Sequence, residues 1–128
     1  MAQSYSELIS EVRKAIRIVS LEEIRRRQEE RVPMILLDVR EKDEYRTVRA
    51  NGAVLMPMSE FQDRAAELPK DRPIYVICAS GNRSAAVTGF LLRSGWTDVT
   101  NVTGGTGEWE RRGLPVNRGE PAPGEGEL

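Results

Sequence analysis

The stretch IYVICASGNRS, residues 74–84, decides how this chain folds. Four apolar or β-branched residues run straight into the chain's single cysteine, Cys78, and small, flexible and cationic residues follow at once. The apolar run has the length and composition of a buried strand, and SAAVTGFLLRSG, 84–95, has the mostly apolar faces of a buried helix with Gly95 at its C-terminal end. Cys78 is thereby expected at the carboxyl end of a strand, in a short loop that feeds a helix. In an open parallel sheet that is where ligands bind.

Outward from this unit the chain alternates strand-like and helix-like segments. PMILLDV, 33–39, is a nearly continuous apolar run, as expected of a strand covered on both faces; AVLMP, 53–57, is the next such run, DVTNV, 98–102, reads as one more strand, and RIV, 17–19, is a short candidate strand. Ser4 with Glu7, Ser20 with Glu23 and Ser59 with Gln62 have capping-box spacing and predict helices over 4–16, 21–31 and 60–68; TGEWERRG, 106–113, predicts a last short one. Strands separated by such helices imply right-handed crossovers, so the predicted fold class is α/β with a compact, mainly parallel sheet flanked by helices on both faces. The predicted organisation is an N-terminal helical extension over 1–16, a domain over 17–117, and a tail over 118–128. That tail, rich in Gly, Pro and Glu, is expected to be disordered because it offers almost no apolar surface to offset ordering.

Composition removes several functions. The 128 residues carry 19 basic and 20 acidic side chains for a net charge of -1, so no basic excess points to nucleic acid. The apolar runs are too short for a membrane span, and the N-terminus lacks the basic and apolar regions of a signal peptide; a cytoplasmic protein is expected. One cysteine precludes an intrachain disulfide, and the absence of histidine excludes a Cys/His or Ser/His/Asp nucleophile and the usual zinc ligands. No metal or other cofactor is expected.

A lone cysteine at a strand end is often just a small buried hydrophobe. The residues after Cys78 argue for more. Ala79 and Ser80 leave space, Gly81 is free to take positive φ, and Asn82 tolerates the left-handed region. Successive amides in such a loop can converge on an anion above the helix N-terminus, with Arg83 as a fixed cation and Ser84 opening the helix. A thiolate held this way needs no general base, which predicts nucleophilic sulfur chemistry through a covalent, negatively charged intermediate.

CASGNRSA resembles the active-site loop of rhodanese-type sulfurtransferases, C-x-x-G-x-R-S. LLDVREKDEY, 36–45, resembles that family's first landmark through Asp38, Val39, Arg40, Glu41, Glu44 and Tyr45, and NVTGGTGEWERRGLPV, 101–116, its closing one through Gly104, Gly105, Trp109, Gly113, Leu114 and Pro115. The resemblance spans residues 17–117 and implies a five-stranded sheet with Cys78 carrying transferred sulfur as a persulfide. The partners it implies are a small donor such as thiosulfate or a persulfide and an external thiol, cyanide or acceptor protein, since no second cysteine can resolve the intermediate. Ala79 to Ser84 would hold the anion, with Asp38 and Arg40 in support or simply bracing the fold; Arg83 could face the sulfur, or bond Asp38 or a loop carbonyl. Related phosphatases and arsenate reductases place the arginine six positions after the cysteine, whereas Arg83 comes at five. A rhodanese-like binding module without turnover is the alternative from another class. Val48 and Arg49 stand where the family usually has glycine and histidine, and Glu44 places an acidic group near the expected pocket mouth, unfavourable for dianionic thiosulfate.

Overall fold

The computed structural model describes residues 4–7 and 16–128. Residues 5–7 are helical, with Ser4 Oγ accepting from the Glu7 N–H at 3.2 Å; the rest of the expected first helix lies outside the described residues.

Five parallel strands form the main sheet: β1 (Ile18–Val19), β2 (Ile35–Asp38), β4 (Val54–Leu55), β5 (Ile74–Ile77) and β6 (Val99–Val102), in spatial order β1-β6-β5-β2-β4. All residues of β2, β5 and β6 are buried, as expected of strands covered on both faces; β6 (VTNV) buries the polar Thr100 and Asn101 among them. On one face Ile35, Leu37, Val76 and Val99 pack with Phe61, Val87, Leu91 and Trp96; on the other Leu36, Tyr75, Ile77 and Val102 pack with Leu21, Ile24, Tyr45 and Trp109. The period-two alternation of side chains along each strand thus splits the core in two.

The helices follow local signals, with exceptions. α1 (Leu21–Glu29) is capped by Ser20 Oγ, which accepts from the Glu23 N–H at 3.2 Å. The helix expected after Ser59 is instead a 3-10 turn at Met58–Glu60, one α-turn, α3 (Phe61–Arg64), and a second 3-10 turn at Ala65–Glu67. The cause is that Ser59 Oγ donates to Glu41 Oε1 at 2.6 Å and does not cap. α4 (Asn82–Arg93) begins two residues before Ser84 and ends with Gly95 at φ +104° just beyond it. α5 spans Gly105–Arg111.

Three elements were not expected from the sequence. α2 (Lys42–Thr47) begins inside the first landmark, and β3 (Arg49–Ala50) pairs antiparallel with β7 (Val116–Asn117).

Residues 118–128, expected to be disordered, fold back on the domain. The Gly119 N–H donates to Arg46 O at 2.7 Å, and the Leu55 N–H donates to Gly126 O at 2.8 Å, so the segment covers the open edge of β4. Between these points Glu125 grips Arg49 at 2.7 and 3.1 Å, and also accepts from Asn117 Nδ2 and the Ala122 N–H. Arg49, only 2 % exposed, donates further to the carbonyls of Tyr45 and Gly119. Charge and backbone pairing, rather than apolar area, order this segment.

Candidate active site

Cys78 follows β5 directly, at the carboxyl end of the sheet's middle strand. The chain then turns sharply. Gly81 sits at φ +105° as the N-cap of α4, a conformation that costs a non-glycine residue roughly 1–2 kcal/mol. This turn aims the Gly81 N–H at Cys78 Sγ, 3.0 Å away, while the thiol donates to Ser84 Oγ at 3.3 Å. Ser84 is fully buried, and its hydroxyl is free to rotate its proton towards the sulfur once the thiol ionises. The twelve-residue helix α4 starts at Asn82, so its positive end lies beside the sulfur. Of the loop, Ser80 and Asn82 are exposed and Ala79 is half-buried.

The thiol itself is covered, with 1 % exposure for Cys78, which packs in the same core cluster as Met56 and Val87.

A contact from the far end of the sequence fixes the loop from behind. Gly105, at φ +67°, passes so close that a Cβ there would lie 2.2 Å from Ala79 O. The Thr106 N–H donates to Cys78 O at 2.8 Å and its hydroxyl to the same oxygen at 3.3 Å. The sequence marks Gly104 and Gly105 only through the closing landmark; their close approach to the cysteine loop depends on tertiary placement.

Arg83 takes none of the partners expected for it. Its guanidinium forms a bidentate pair with Glu44 of α2, Nη1 to Oε1 at 2.7 Å and Nη2 to Oε2 at 2.9 Å. Glu44 Oε1 also accepts from the Glu41 N–H at 3.0 Å. These bonds hold the Glu44 carboxyl down at about 2, Arg83 contributing most, and the same pairing pushes the guanidinium further above its already high value. Asp38 and Arg40 join each other: Asp38 is fully buried, Arg40 Nη2 lies 2.8 Å from Asp38 Oδ2, and Arg40 donates onward to the carbonyls of Glu44 and Val48. They brace the β2–α2 connection that carries Glu44, at one remove from the sulfur. Among the described residues no group of His, Cys, Asp or Glu is arranged to hold a metal ion, and no helix is long and apolar enough to cross a membrane.

A parallel sheet with a single thiol at the end of its middle strand, fixed over the start of the next helix, defines an α/β protein built around a cysteine loop. Comparison with known proteins makes the class specific. The rhodanese-like domain model matches residues 20–112, and the chain belongs to that family. It is 35% identical over 83 residues to a sulfurtransferase of Allochromatium vinosum, covering 65% of this chain and 78% of that protein. It is also 35% identical over 100 residues to a putative sulfur carrier protein of Bacillus subtilis, covering 78% of this chain and 54% of the other, so it spans about half of that relative. Among solved structures, a rhodanese-related protein of Thermoplasma volcanium superposes with a TM-score of 0.72 at 32% identity, over 79% of this chain and 97% of the other. A thiosulfate sulfurtransferase of Pseudomonas aeruginosa does so with a TM-score of 0.78 at 29% identity, over 91% of this chain and 22% of that one.

Proposed function

We propose that the protein is a sulfurtransferase in which Cys78 takes sulfane sulfur from a donor, thiosulfate or a persulfide, stores it as a persulfide and surrenders it to an external thiol or cyanide. The observation that carries this reading is the Gly81 N–H at 3.0 Å from Cys78 Sγ, at the start of α4. A backbone donor and a helix N-terminus aimed at one sulfur stabilise an anion there, both the attacking thiolate and the persulfide that replaces it. The Ser84 hydroxyl, which accepts from the thiol at 3.3 Å, can turn its own proton to a sulfur anion. Family membership and the sulfurtransferases among the relatives support the same chemistry. Burial of the thiol suits a donor that presents one terminal sulfur. With one cysteine in the chain, the acceptor comes from outside.

Intact mass after incubation with thiosulfate or glutathione persulfide tests the proposal. The expected result is the gain of one sulfur atom, lost again on adding cyanide or excess thiol and absent from Cys78→Ala. A wild-type mass unchanged by either donor would leave a rhodanese-like binding module as the better reading.

A further inference from the structure

We propose that Glu44 selects the sulfur donor: by occupying the Arg83 guanidinium it withholds the cation that follows the cysteine loop from an incoming anion, which disfavours dianionic thiosulfate and favours an organic hydropersulfide. This inference rests on Cys78 being the sulfur carrier. Arg83 is the cation nearest the nucleophile in sequence, flanked by Asn82 and Ser84, two residues beyond the amide that touches the sulfur. It also feels the negative charge of Cys78 and Asp38, after the larger influence of Glu44. A dianion arriving at Cys78 would need that guanidinium. It meets instead a closed pair, for Glu44 grips Arg83 through two oxygens and is itself fixed by the Glu41 N–H.

Three other cations are paired too. Arg40 is buried in its pair with Asp38, Lys42 lies 3.3 Å from Glu60, and Arg64 pairs with Glu60 and Glu67. Glu41 has its carboxylate turned to Ser59, accepting from the backbone N–H at 3.1 Å and from the hydroxyl at 2.6 Å. Each of these cations, like Arg83 at the rim, already has a carboxylate partner.

The two donors differ in the charge they bring to this rim. With a hydropersulfide, R–S–SH, the Cys78 thiolate forms a bond to the outer sulfur and the donor's S–S bond breaks. The bonding electron pair leaves with R–S, which takes the proton, and Cys78 keeps a persulfide anion. One negative charge is present before and after, and it stays on the loop that stabilises it. With thiosulfate the same attack breaks the S–S bond and expels sulfite, so two negative charges must enter past Glu44 and two must leave.

Loading of Cys78 measured with each donor, for wild type and for Glu44→Gln, tests the selection. Removing one negative charge a few ångströms from a dianion in water-like surroundings is expected to raise the thiosulfate-to-glutathione-persulfide ratio of kcat/KM about tenfold at low salt. That gain should shrink as added salt screens the rim. Glu44→Asp, which keeps the charge, should keep the wild-type ratio and separates charge from a general disturbance of α2. An unchanged ratio in Glu44→Gln, or the same change in Glu44→Asp, overturns donor selection while leaving Cys78 as the carrier. A wild type that gains sulfur from neither donor overturns the carrier reading, and the selection with it.

Discussion

Replacing Glu125 by glutamine removes the anion from a guanidinium that has almost no access to water. Arg49 is 2 % exposed and makes its two shortest charged contacts, 2.7 and 3.1 Å, to this carboxylate. The cost can be approached from both partners. Glu125 is held down at about 2, chiefly by its bonds to Arg49; against an ordinary carboxyl value of about 4.3 that corresponds to roughly 3 kcal/mol, at about 1.4 kcal/mol per pKa unit. A quarter of the Glu125 side chain remains open to water, and screening trims the figure to about 2 kcal/mol. From the other side, stranding one member of a buried pair costs about 3–5 kcal/mol, reduced here because the Tyr45 and Gly119 carbonyls still accept from Arg49. Glu125→Gln should therefore lose about 2–3 kcal/mol, read in urea denaturation as a lower midpoint with unchanged slope and in heating as a Tm lower by about 10 °C. In an Arg49→Met background the same change should cost less than about 0.5 kcal/mol, because the partner it strands is gone. If Glu125→Gln in the wild-type background stays within about 0.5 kcal/mol of the parent, the C-terminal segment does not hold Arg49 and this account of its ordering is wrong.

Three further outcomes follow from the site. Gly105→Ala forces a Cβ to 2.2 Å from Ala79 O; the loop must move, and sulfur loading measured by intact mass should fall at least tenfold even where circular dichroism shows the fold retained. Ser84→Ala removes one of the two hydrogen-bond partners at the sulfur, and a bond to a charged group is worth about 1.5–3 kcal/mol, so loading at neutral pH should slow about tenfold or more; an unchanged rate would show that Ser84 does not serve the anion. Acid titration should weaken the fold in a defined window: Glu44 and Glu125 are both held at about 2, below their ordinary range, so their stabilisation is complete above about pH 4.5 and is lost as pH falls towards 2. Glu125→Gln should flatten that decline, which urea midpoints measured between pH 5 and 2.5 will show.

The features legible in the sequence are those set by local composition. The buried strands at 35–38 and 74–77, the cysteine at the end of the second and the helix after it follow from apolar runs and from Gly81. What escaped depends on pairing across distance. α2 has one buried side chain, Tyr45, in six residues, too short a pattern to stand out from a charged loop. Ser59 has the spacing of a cap, yet its hydroxyl goes to Glu41, eighteen residues earlier. The C-terminal segment has nothing apolar to announce it except Leu128, which is exposed; its anchor is an acid whose partner lies 76 residues away. At the site, Cys78 and the turn at Gly81 could be read directly, whereas the Glu44–Arg83 pair and the approach of Gly105 to Ala79 required the folded chain.

The contact between Gly105 and Ala79 also has a consequence for synthesis. The cysteine emerges from the ribosome well before the residues that hold its loop in shape, and β6, which separates β1 from β5, comes later still than both strands it joins. A nascent chain that stops short of Thr106 carries the thiol without its rear support, so the loop cannot take its final shape until residues 28 positions beyond the cysteine have been added.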